Sequence, residues 1–430
     1  MLAFRRPRAF SRICHGERRK RRAPSCQAHA ESSAFRAVIG AIDDQGLVEE
    51  FRTRFGADAR LFSAPGRVNL IGEHTDYNDG FVLPMAIDGR TYVAGARRGD
   101  RRVRVYSHAL SESHEFDLDV QPGPPSGKWH AFVEGTIRTL AARGLQLHGA
   151  DLSITSTVPS GAGLSASAAL EVSVGYAVLC LSGHASPDRL SLALSAQRAE
   201  HDYVGTRCGI MDQYISASAL PEHALLIDCR SLESRPVPMM LGSRRIVICD
   251  TRVRHELASS EYNLRRSECE EGVSLLSRAL PGISALRDVT EEDLARHGAA
   301  LPPVIARRCR HVVSENARTL AAADALAAQD FERLGALMTA SHRSLRDDYQ
   351  VSCPELDFAV DTALSVSGVY GSRMTGGGFG GCTVTVADAE AVSQVSERMK
   401  ERFERELGRG VSVFSTTARE GAREHSIGGS

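Results

Sequence analysis

The segment Gly66-Arg67-Val68-Asn69-Leu70-Ile71-Gly72-Glu73-His74-Thr75-Asp76-Tyr77-Asn78, called loop 1 below, concentrates an arginine, two carboxylates, a histidine and two amides in thirteen residues. It follows an apolar, strand-like pair, Leu61 and Phe62. Arginine and carboxylate side chains together can hydrogen-bond several hydroxyls of a polyol and still leave a cation beside a phosphate. Loop 1 therefore predicts a ligand-facing segment, with a solvated turn as the alternative.

The composition of the chain is that of an ordinary globular protein, with 430 residues, 42% hydrophobic and 24% charged. The length predicts two domains or one large one. A net charge of −1 gives no overall indication of nucleic-acid or membrane binding. Residues 1–30 carry nine Arg/Lys and one acid, without an apolar block for a signal peptide or membrane span. We expect this segment to be disordered, as a transit peptide or an upstream extension of the reading frame.

The ten cysteines form no Cys-x-x-Cys pair, and no Cys/His spacing indicates zinc. Several lie in apolar runs, where a free thiol packs as a small hydrophobe. This pattern predicts a reducing compartment and a cytoplasmic protein. The basic N-terminal segment leaves organelle targeting as the alternative.

Alternating and amphipathic stretches occur in mixed order, which predicts an α+β fold. The proline-containing stretch 231–242 is the predicted boundary between the two halves. Strands are predicted at 103–106, 116–120, 152–158, 224–228, 246–250 and 382–386, and helices at 129–140, 168–181, 330–341 and 353–364.

The segment Pro159–Leu170, loop 2 below, lies between a predicted strand and a predicted helix. Free N–H groups at a helix start bind phosphate, and glycines allow close backbone approach. Ser165 or Ser167 can cap the helix or ligate Mg²⁺. Loop 2 is neither a Walker loop nor a dinucleotide fingerprint, so tight packing is the alternative. Trp129 and Phe132 are candidate walls of an adenine pocket, or core residues.

Two further segments carry candidate chemistry. Gly209–Gln213 places Asp212 among apolar neighbours, and a partly buried carboxylate needs a cation, for which Arg67 is the favoured partner. Glu200 suits Mg²⁺ coordination, or is a charge on a helix surface. In Gly371–Cys382, loop 3 below, five of the six residues 376–381 are glycine. This run predicts close backbone approach to a ligand or to loop 1, with a flexible linker as the alternative.

Together these motifs resemble the three signatures of the GHMP small-molecule kinases and, within them, the galactokinase family. Gly66–Asp76 is similar to the sugar signature, Pro159–Ala169 to the phosphate loop and Ser372–Cys382 to the third motif. Similar stretches occur at 251–262 and 341–349, so that the resemblance covers about residues 33–420.

The resemblance implies a two-domain α+β fold with the active site in the cleft between the domains. A ribosomal-S5-like N-terminal domain would span 33–235 and a ferredoxin-like C-terminal domain 236–430, after a basic extension over 1–32. It implies ATP- and Mg²⁺-dependent phosphorylation of the C1 hydroxyl of α-D-galactose to galactose 1-phosphate, the first committed step of the Leloir pathway. We expect a monomer whose partners are galactose and ATP, without nucleic acid or membrane.

The resemblance also implies roles for individual residues. These are Arg67 and Asp212 in catalysis; Arg67, Glu73, His74, Asp76, Gly209, Asp212 and Tyr262 at the sugar; Trp129, Gly161, Ala162, Gly163, Leu164, Ser165, Ala166 and Ser167 at the nucleotide; and Ser167 and Glu200 at Mg²⁺.

One departure from the family is visible, since similar members often carry three consecutive serines where this chain has Ser165-Ala166-Ser167. If the nucleotide contacts backbone N–H groups there, Ala166 has no effect. If a hydroxyl touches the nucleotide, its loss costs ~0.5–1.5 kcal/mol of binding free energy.

Three other functions are compatible with parts of this pattern. An N-acetylgalactosamine kinase usually differs after the Glu-His pair of loop 1. Kinases of mevalonate or homoserine lack the Gly66–Asp76 signature. A catalytically inactive galactose sensor that regulates transcription is the alternative from another class, and a turnover assay separates it from an enzyme.

Overall fold

The computed structural model describes residues 44–254 and 258–426, so the predicted basic extension over 1–32 lies outside the described residues. The helices are α1 Asp44–Phe55, α2 Trp129–Ala142, α3 Ala166–Leu181, α4 Arg189–Ala199, α5 Met211–Ser218, α6 Ala258–Leu276, α7 Glu291–His297, α8 Pro303–Ala327, α9 Phe331–Ser344, α10 Pro354–Leu364 and α11 Ala391–Leu407. The strands are β1 Arg60–Asn69, β2 Phe81–Val82, β3 Pro84–Arg97, β4 Arg102–Ser107, β5 Glu112–Asp117, β6 Ala150–Ser156, β7 His223–Asp228, β8 Ser234–Pro238, β9 Arg244–Asp250, β10 Val369–Thr375, β11 Cys382–Asp388, β12 Ser412–Thr416 and β13 Arg423–His425.

These strands form three sheets, which confirms the predicted α+β order. The first sheet has the order β13-β1-β3-β6-β4-β5, and its β4–β6 pair is parallel. The second has the order β10-β11-β9-β12, and the third β2-β7-β8. The final strand β13 pairs with β1, so the chain returns to its first sheet at its C-terminal end.

The first sheet packs against α2, α3, α4 and α5 in one core. Helix α3 is apolar on almost every side and is buried over nearly its whole length, as expected for a central helix. A second core joins the two halves of the chain, because Val68, Leu70 and Ile71 at the end of β1 pack with Ile248 of β9 and Val384 of β11. This shared core fixes loop 1 against the second sheet.

Two sequence predictions need correction or comment. The strand predicted at 116–120 is wrong, because β5 ends at Asp117 and residues 118–120 lie in a turn. β5 is a largely polar edge strand, so alternation of hydrophobicity does not reveal it. The predicted boundary stretch 231–242 contains β8, whose prolines are tolerated because it is an edge strand. The division at 235/236 stays a prediction.

The eight cysteines within the described ranges are free thiols, and six of them are buried. None of the helices described here combines the length and apolar character required to cross a bilayer.

Candidate active site

An arginine–aspartate pair lies at the centre of the candidate site. Arg67, near the end of β1, donates from Nε and Nη2 to the two carboxylate oxygens of Asp212 at 2.8 and 2.7 Å. Asp212 lies in the first turn of α5. Nη1 of Arg67 donates to the carbonyl of Gly163 at 2.6 Å. The predicted pairing is therefore present, and the same guanidinium also joins β1 to loop 2.

Loop 2 turns sharply into α3 through three residues with positive φ, namely Gly161 (64°), Gly163 (73°) and Ser165 (58°). Helix α3 then begins at Ala166. The N–H groups of its first turn have no carbonyl within the helix to bond, and the positive end of the helix dipole lies at the loop. This is the arrangement that favours a phosphate group.

The hydroxyl groups of loop 2 hydrogen-bond to carboxyl groups rather than to the N-terminal end of the helix. Ser165 occupies the position before α3, but its Oγ donates to Asp212. Ser167 lies inside the helix and hydrogen-bonds Glu200. The prediction that either serine caps α3 is therefore wrong, because a charged acceptor makes the stronger hydrogen bond.

Loop 3 packs against loops 1 and 2 by direct backbone approach. A Cβ atom at Gly376 would lie 2.8 Å from the carbonyl oxygen of Gly163, and one at Gly381 would lie 2.9 Å from that of Ala162. The N–H of Gly376 donates to Oε1 of Glu73 at 2.7 Å. The glycines thus let loop 3 approach the backbone of loop 2, whereas the prediction named a ligand or loop 1, which loop 3 meets through the Glu73 side chain.

The predicted sugar residues of loop 1 lie beside aromatic rings and Gly209. The ring of His74 lies 5.4 Å from that of Tyr262 and 4.8 Å from that of Tyr349, centroid to centroid. Burial lowers the pKa of His74 to about 3, so its imidazole is neutral at pH 7. The side chain of Asp76 lies over Gly209, where an added Cβ would come within 1.8 Å of Oδ2.

Three buried carboxyl groups near the arginine–aspartate pair have raised pKa values. Burial and the neighbouring Asp212 raise the pKa of Asp76 to about 7. Burial likewise raises the pKa of Glu200 to about 7. Burial and Glu200 raise the pKa of Glu171 well above its usual range. These three carboxyl groups therefore hold a proton more readily near neutral pH than exposed carboxyl groups do.

Trp129 has contacts outside the three loops. Its Nε1 donates to Glu112 Oε2 at 2.8 Å, and its indole meets the ring of His130 edge-on. Its proposed position beside an adenine base stays a prediction.

Sequence reasoning missed the residues of α8 and α9 that brace loop 1. Oε1 of Glu315 accepts the N–H of Gly72 at 3.0 Å and the hydroxyl of Ser341 at 2.5 Å, and Oε2 accepts from Arg318 at 2.7 Å. Burial alone would raise the pKa of Glu315, but Arg318, His311, Arg373 and the Ser341 hydroxyl together outweigh burial, and the pKa falls to about 2. The sequence feature that could have indicated this brace is the polar pair Glu315-Asn316 within the amphipathic helix α8.

Over residues 44–254 and 258–426, one group of metal-type side chains lies together, namely His114, His130 and Glu134. The two imidazole rings stack 3.9 Å apart at an interplanar angle of 14°. Lone pairs in two parallel ring planes cannot converge on one ion, and Arg138 occupies Oε1 of Glu134. This arrangement is that of a stacked, salt-bridged surface rather than a metal centre.

Comparison with known proteins places this geometry in a family. The galactokinase galactose-binding signature matches residues 49–97, the GHMP kinase N-terminal domain matches 131–219 and the GHMP kinase C-terminal domain matches 322–405. The galactokinase of Chloroflexus aggregans is 54% identical over 369 residues, which are 86% of this chain and 94% of the relative. The chain belongs to the galactokinase family. The galactokinase of a Roseiflexus species is 47% identical over 88% of this chain and 97% of its own length.

Solved structures agree with galactokinase-family membership. The structure of Lactococcus lactis galactokinase complexed with galactose superposes with a TM-score of 0.83 at 34% identity, covering 88% of this chain and 99% of that one. The mevalonate kinase of Methanococcus jannaschii, with a TM-score of 0.58 at 18% identity over 85% of this chain and 99% of its own, shares the fold alone. The chain thus has the GHMP kinase fold of the galactokinases.

The contact between loops 2 and 3 of this galactokinase-family chain predicts a specific stability difference. Gly376→Ala adds a Cβ close to the Gly163 carbonyl at a φ of 87°, whereas Gly183→Ala meets a similar φ of 98° with no atom within 4 Å. We expect Gly376→Ala to lower the free energy of unfolding by roughly 1–3 kcal/mol more than Gly183→Ala, measured by urea titration. Equal losses would show that loop 3 does not press on loop 2.

Proposed function

We propose that the chain is a galactokinase, which transfers the γ-phosphoryl group of ATP to the C1 hydroxyl of α-D-galactose and releases galactose 1-phosphate and ADP. The observation that carries this proposal is the two-point contact between Arg67 and Asp212 where loop 1 meets loop 2. The galactokinases that match nearly the whole chain support it, as does the Lactococcus lactis protein with its bound galactose.

Asp212 is the proposed general base. The C1 hydroxyl proton moves to a carboxylate oxygen while the C1 oxygen forms a bond to the γ-phosphorus. The bond from the γ-phosphorus to the β,γ-bridging oxygen breaks, and its electron pair leaves with ADP. The Asp212 side chain is 28% exposed, which leaves it open to a substrate while Arg67 and Ser165 fix its orientation.

Arg67 and loop 2 are the proposed electrostatic groups. The transition state of phosphoryl transfer spreads negative charge over the equatorial oxygens, so fixed donors near the γ-phosphate lower the barrier. The guanidinium of Arg67 is 4% exposed and held on both sides, so little reorganisation is needed during the reaction. The N–H groups at the start of α3 replace the lysine of a P-loop.

Ser167 and Glu200 are the proposed Mg²⁺ residues. They already contact each other, and a hydroxyl, one carboxylate and phosphate oxygens form a donor set that Mg²⁺ prefers. A divalent cation beside Glu200 would favour the charged form of its carboxyl group, whose pKa is raised to about 7 by burial. When bound, Mg²⁺ would neutralise charge on the phosphate oxygens.

Galactose specificity is proposed to reside in loop 1. Glu73, His74 and Asp76 provide charged and neutral hydrogen-bonding groups, while Gly209 and Tyr262 shape the pocket beside them. A site built around a hydroxyl rejects an analogue that inverts it, because buried polar groups then stay unpaired. Glucose, which differs at C4, is therefore expected to react poorly.

Ala166 is proposed to leave ATP binding unchanged. Its side chain packs against the core shared by the two halves, so the nucleotide would meet the backbone at this position. We also propose that the protein acts as a monomer in the cytoplasm, with galactose and ATP as its partners. The free thiols are consistent with a reducing compartment.

The proposed function is tested by ADP release from ATP and Mg²⁺ with galactose, glucose, N-acetylgalactosamine or no sugar. We expect turnover mainly with galactose. Turnover mainly with N-acetylgalactosamine would show that this sugar, rather than galactose, is the substrate. Equal rates on galactose and glucose would show that loop 1 does not select the sugar. Thermal stabilisation by galactose and ATP without turnover would identify a sensor.

Asp212→Asn should lower kcat by about 10²–10⁴-fold, because it removes the base while preserving the size of the side chain. The dissociation constant of galactose, measured by calorimetry, should change much less. Asp119→Asn removes an exposed carboxylate and serves as the matched control. Wild-type turnover in Asp212→Asn would eliminate Asp212 as the base.

The KM for galactose should rise as the pH falls below about 7, because Asp76 then gains a proton and loses an acceptor for sugar hydroxyls. The same raised pKa makes the unliganded protein less stable as the pH rises from 3.8 to about 7, since the folded state binds protons that the unfolded state has released. Asp76→Asn should have a higher KM that does not change over this range. A pH-dependent KM in Asp76→Asn would assign the titration to another group.

A further inference from the structure

Behind the proposed Mg²⁺ residues, the amide of Gln213 lies between two buried carboxylates. Its Nε2 donates to Oε2 of Glu171 at 3.2 Å and to Oε1 of Glu200 at 3.3 Å. Gln213 and Glu171 are fully buried, and Glu200 is 6% exposed. The NH₂ group of the amide has two hydrogens, so it can donate to one oxygen of each neighbour at the same time.

This arrangement stabilises the protein interior less than apolar packing would. Oε1 of Gln213 and Oε1 of Glu171 are buried without a hydrogen-bond partner. A buried polar atom without a partner destabilises the folded state, and apolar residues of similar volume would avoid this loss. The amide therefore calls for an explanation other than stability.

The positions of these residues on their helices suggest an explanation based on function. Gln213 follows Asp212 directly on α5, and Glu171 lies one turn after Ser167 on α3. The two helices that carry the proposed base and the proposed Mg²⁺ hydroxyl thus also carry the two residues behind Glu200.

We infer that Gln213 and Glu171 are positioning residues that hold the Glu200 carboxylate in place for the divalent cation. Gln213 restrains Glu200 through one N–H, and Glu171 holds the rotamer of Gln213 through the other, with the sulfur of Cys208 3.8 Å from the same nitrogen. The hydrogen bonds link the position of Glu200 to the helix of Asp212. This inference rests on the proposed function, since it assigns the metal of the same site.

The test compares Gln213→Met, which keeps the volume and removes the amide, with Glu171→Gln, which keeps an acceptor for the amide, and Glu171→Leu, which removes it. Ser173→Ala is the matched control, because Ser173 is buried on α3 and its hydroxyl bonds Leu170 of the same helix. Two quantities are measured for each folded variant. They are the dissociation constant of Mn²⁺ with ADP present, by electron paramagnetic resonance, and the KM for galactose at saturating Mg²⁺.

We expect Gln213→Met and Glu171→Leu to weaken Mn²⁺ binding by about 10–100-fold, the usual cost of removing a residue that orients a metal ligand. Their KM for galactose should stay near that of the wild type. Glu171→Gln and Ser173→Ala should bind Mn²⁺ nearly as the wild type does. Wild-type Mn²⁺ binding by Gln213→Met would overturn the inference. Equal losses in Glu171→Gln and Glu171→Leu would also overturn it, because Glu171 would then act through its charge.

If Gln213→Met fails to fold, Gln213→Asn replaces it, because its shorter amide cannot reach both carboxylates. Weakened Mn²⁺ binding by Gln213→Asn supports the inference, and unchanged binding overturns it. The Mn²⁺ measurement requires no sugar turnover. Absence of galactose phosphorylation by the wild type would therefore refute the proposed function without deciding the role of Gln213.

Discussion

The buried guanidinium of Arg67 is the interaction on which the site depends. It meets both carboxylate oxygens of Asp212 and the carbonyl of Gly163, so one side chain joins β1, α5 and loop 2. Removing it would leave the partly exposed carboxylate of Asp212 without its cation and the carbonyl of Gly163 without its donor. The orientation of the proposed base and the shape of the phosphate loop therefore have a common cause.

Two features surround this pair, namely the close backbone packing of the loops and the raised pKa values of nearby carboxyl groups. Glycines such as Gly376 allow loops 2 and 3 to touch without side chains between them. The carboxylates of Asp76 and Glu200 have pKa values raised to about 7 because burial and their neighbours disfavour their charge. Both carboxyl groups therefore titrate near neutral pH, where a change in their surroundings alters their charge.

The sequence predicted the parts of the site that follow from local patterns. A strand, a run of small residues and a helix indicated loop 2, and a carboxylate among apolar residues required a cation that Arg67 could supply. Predictions from the sequence were wrong where groups that are distant in the chain compete for a hydrogen bond. Ser165 was one of two candidate helix caps, with Mg²⁺ binding as the alternative role, but its hydroxyl donates to the carboxylate of Asp212, 47 residues away. The strand predicted at 116–120 missed most of β5, because an edge strand can be polar over most of its length.

The sequence by itself determined the backbone conformations that depend on neighbouring residues, namely the α+β order, the glycine-dependent turns and the chemical character of the three loops. Only the tertiary structure decided which distant groups meet. The brace from Glu315 to Gly72 spans 243 residues, and Gln213 contacts both Glu171 and Glu200 from a third element. Local sequence fixes torsion angles and periodicity, whereas the direction of a long-range hydrogen bond depends on how the entire core packs.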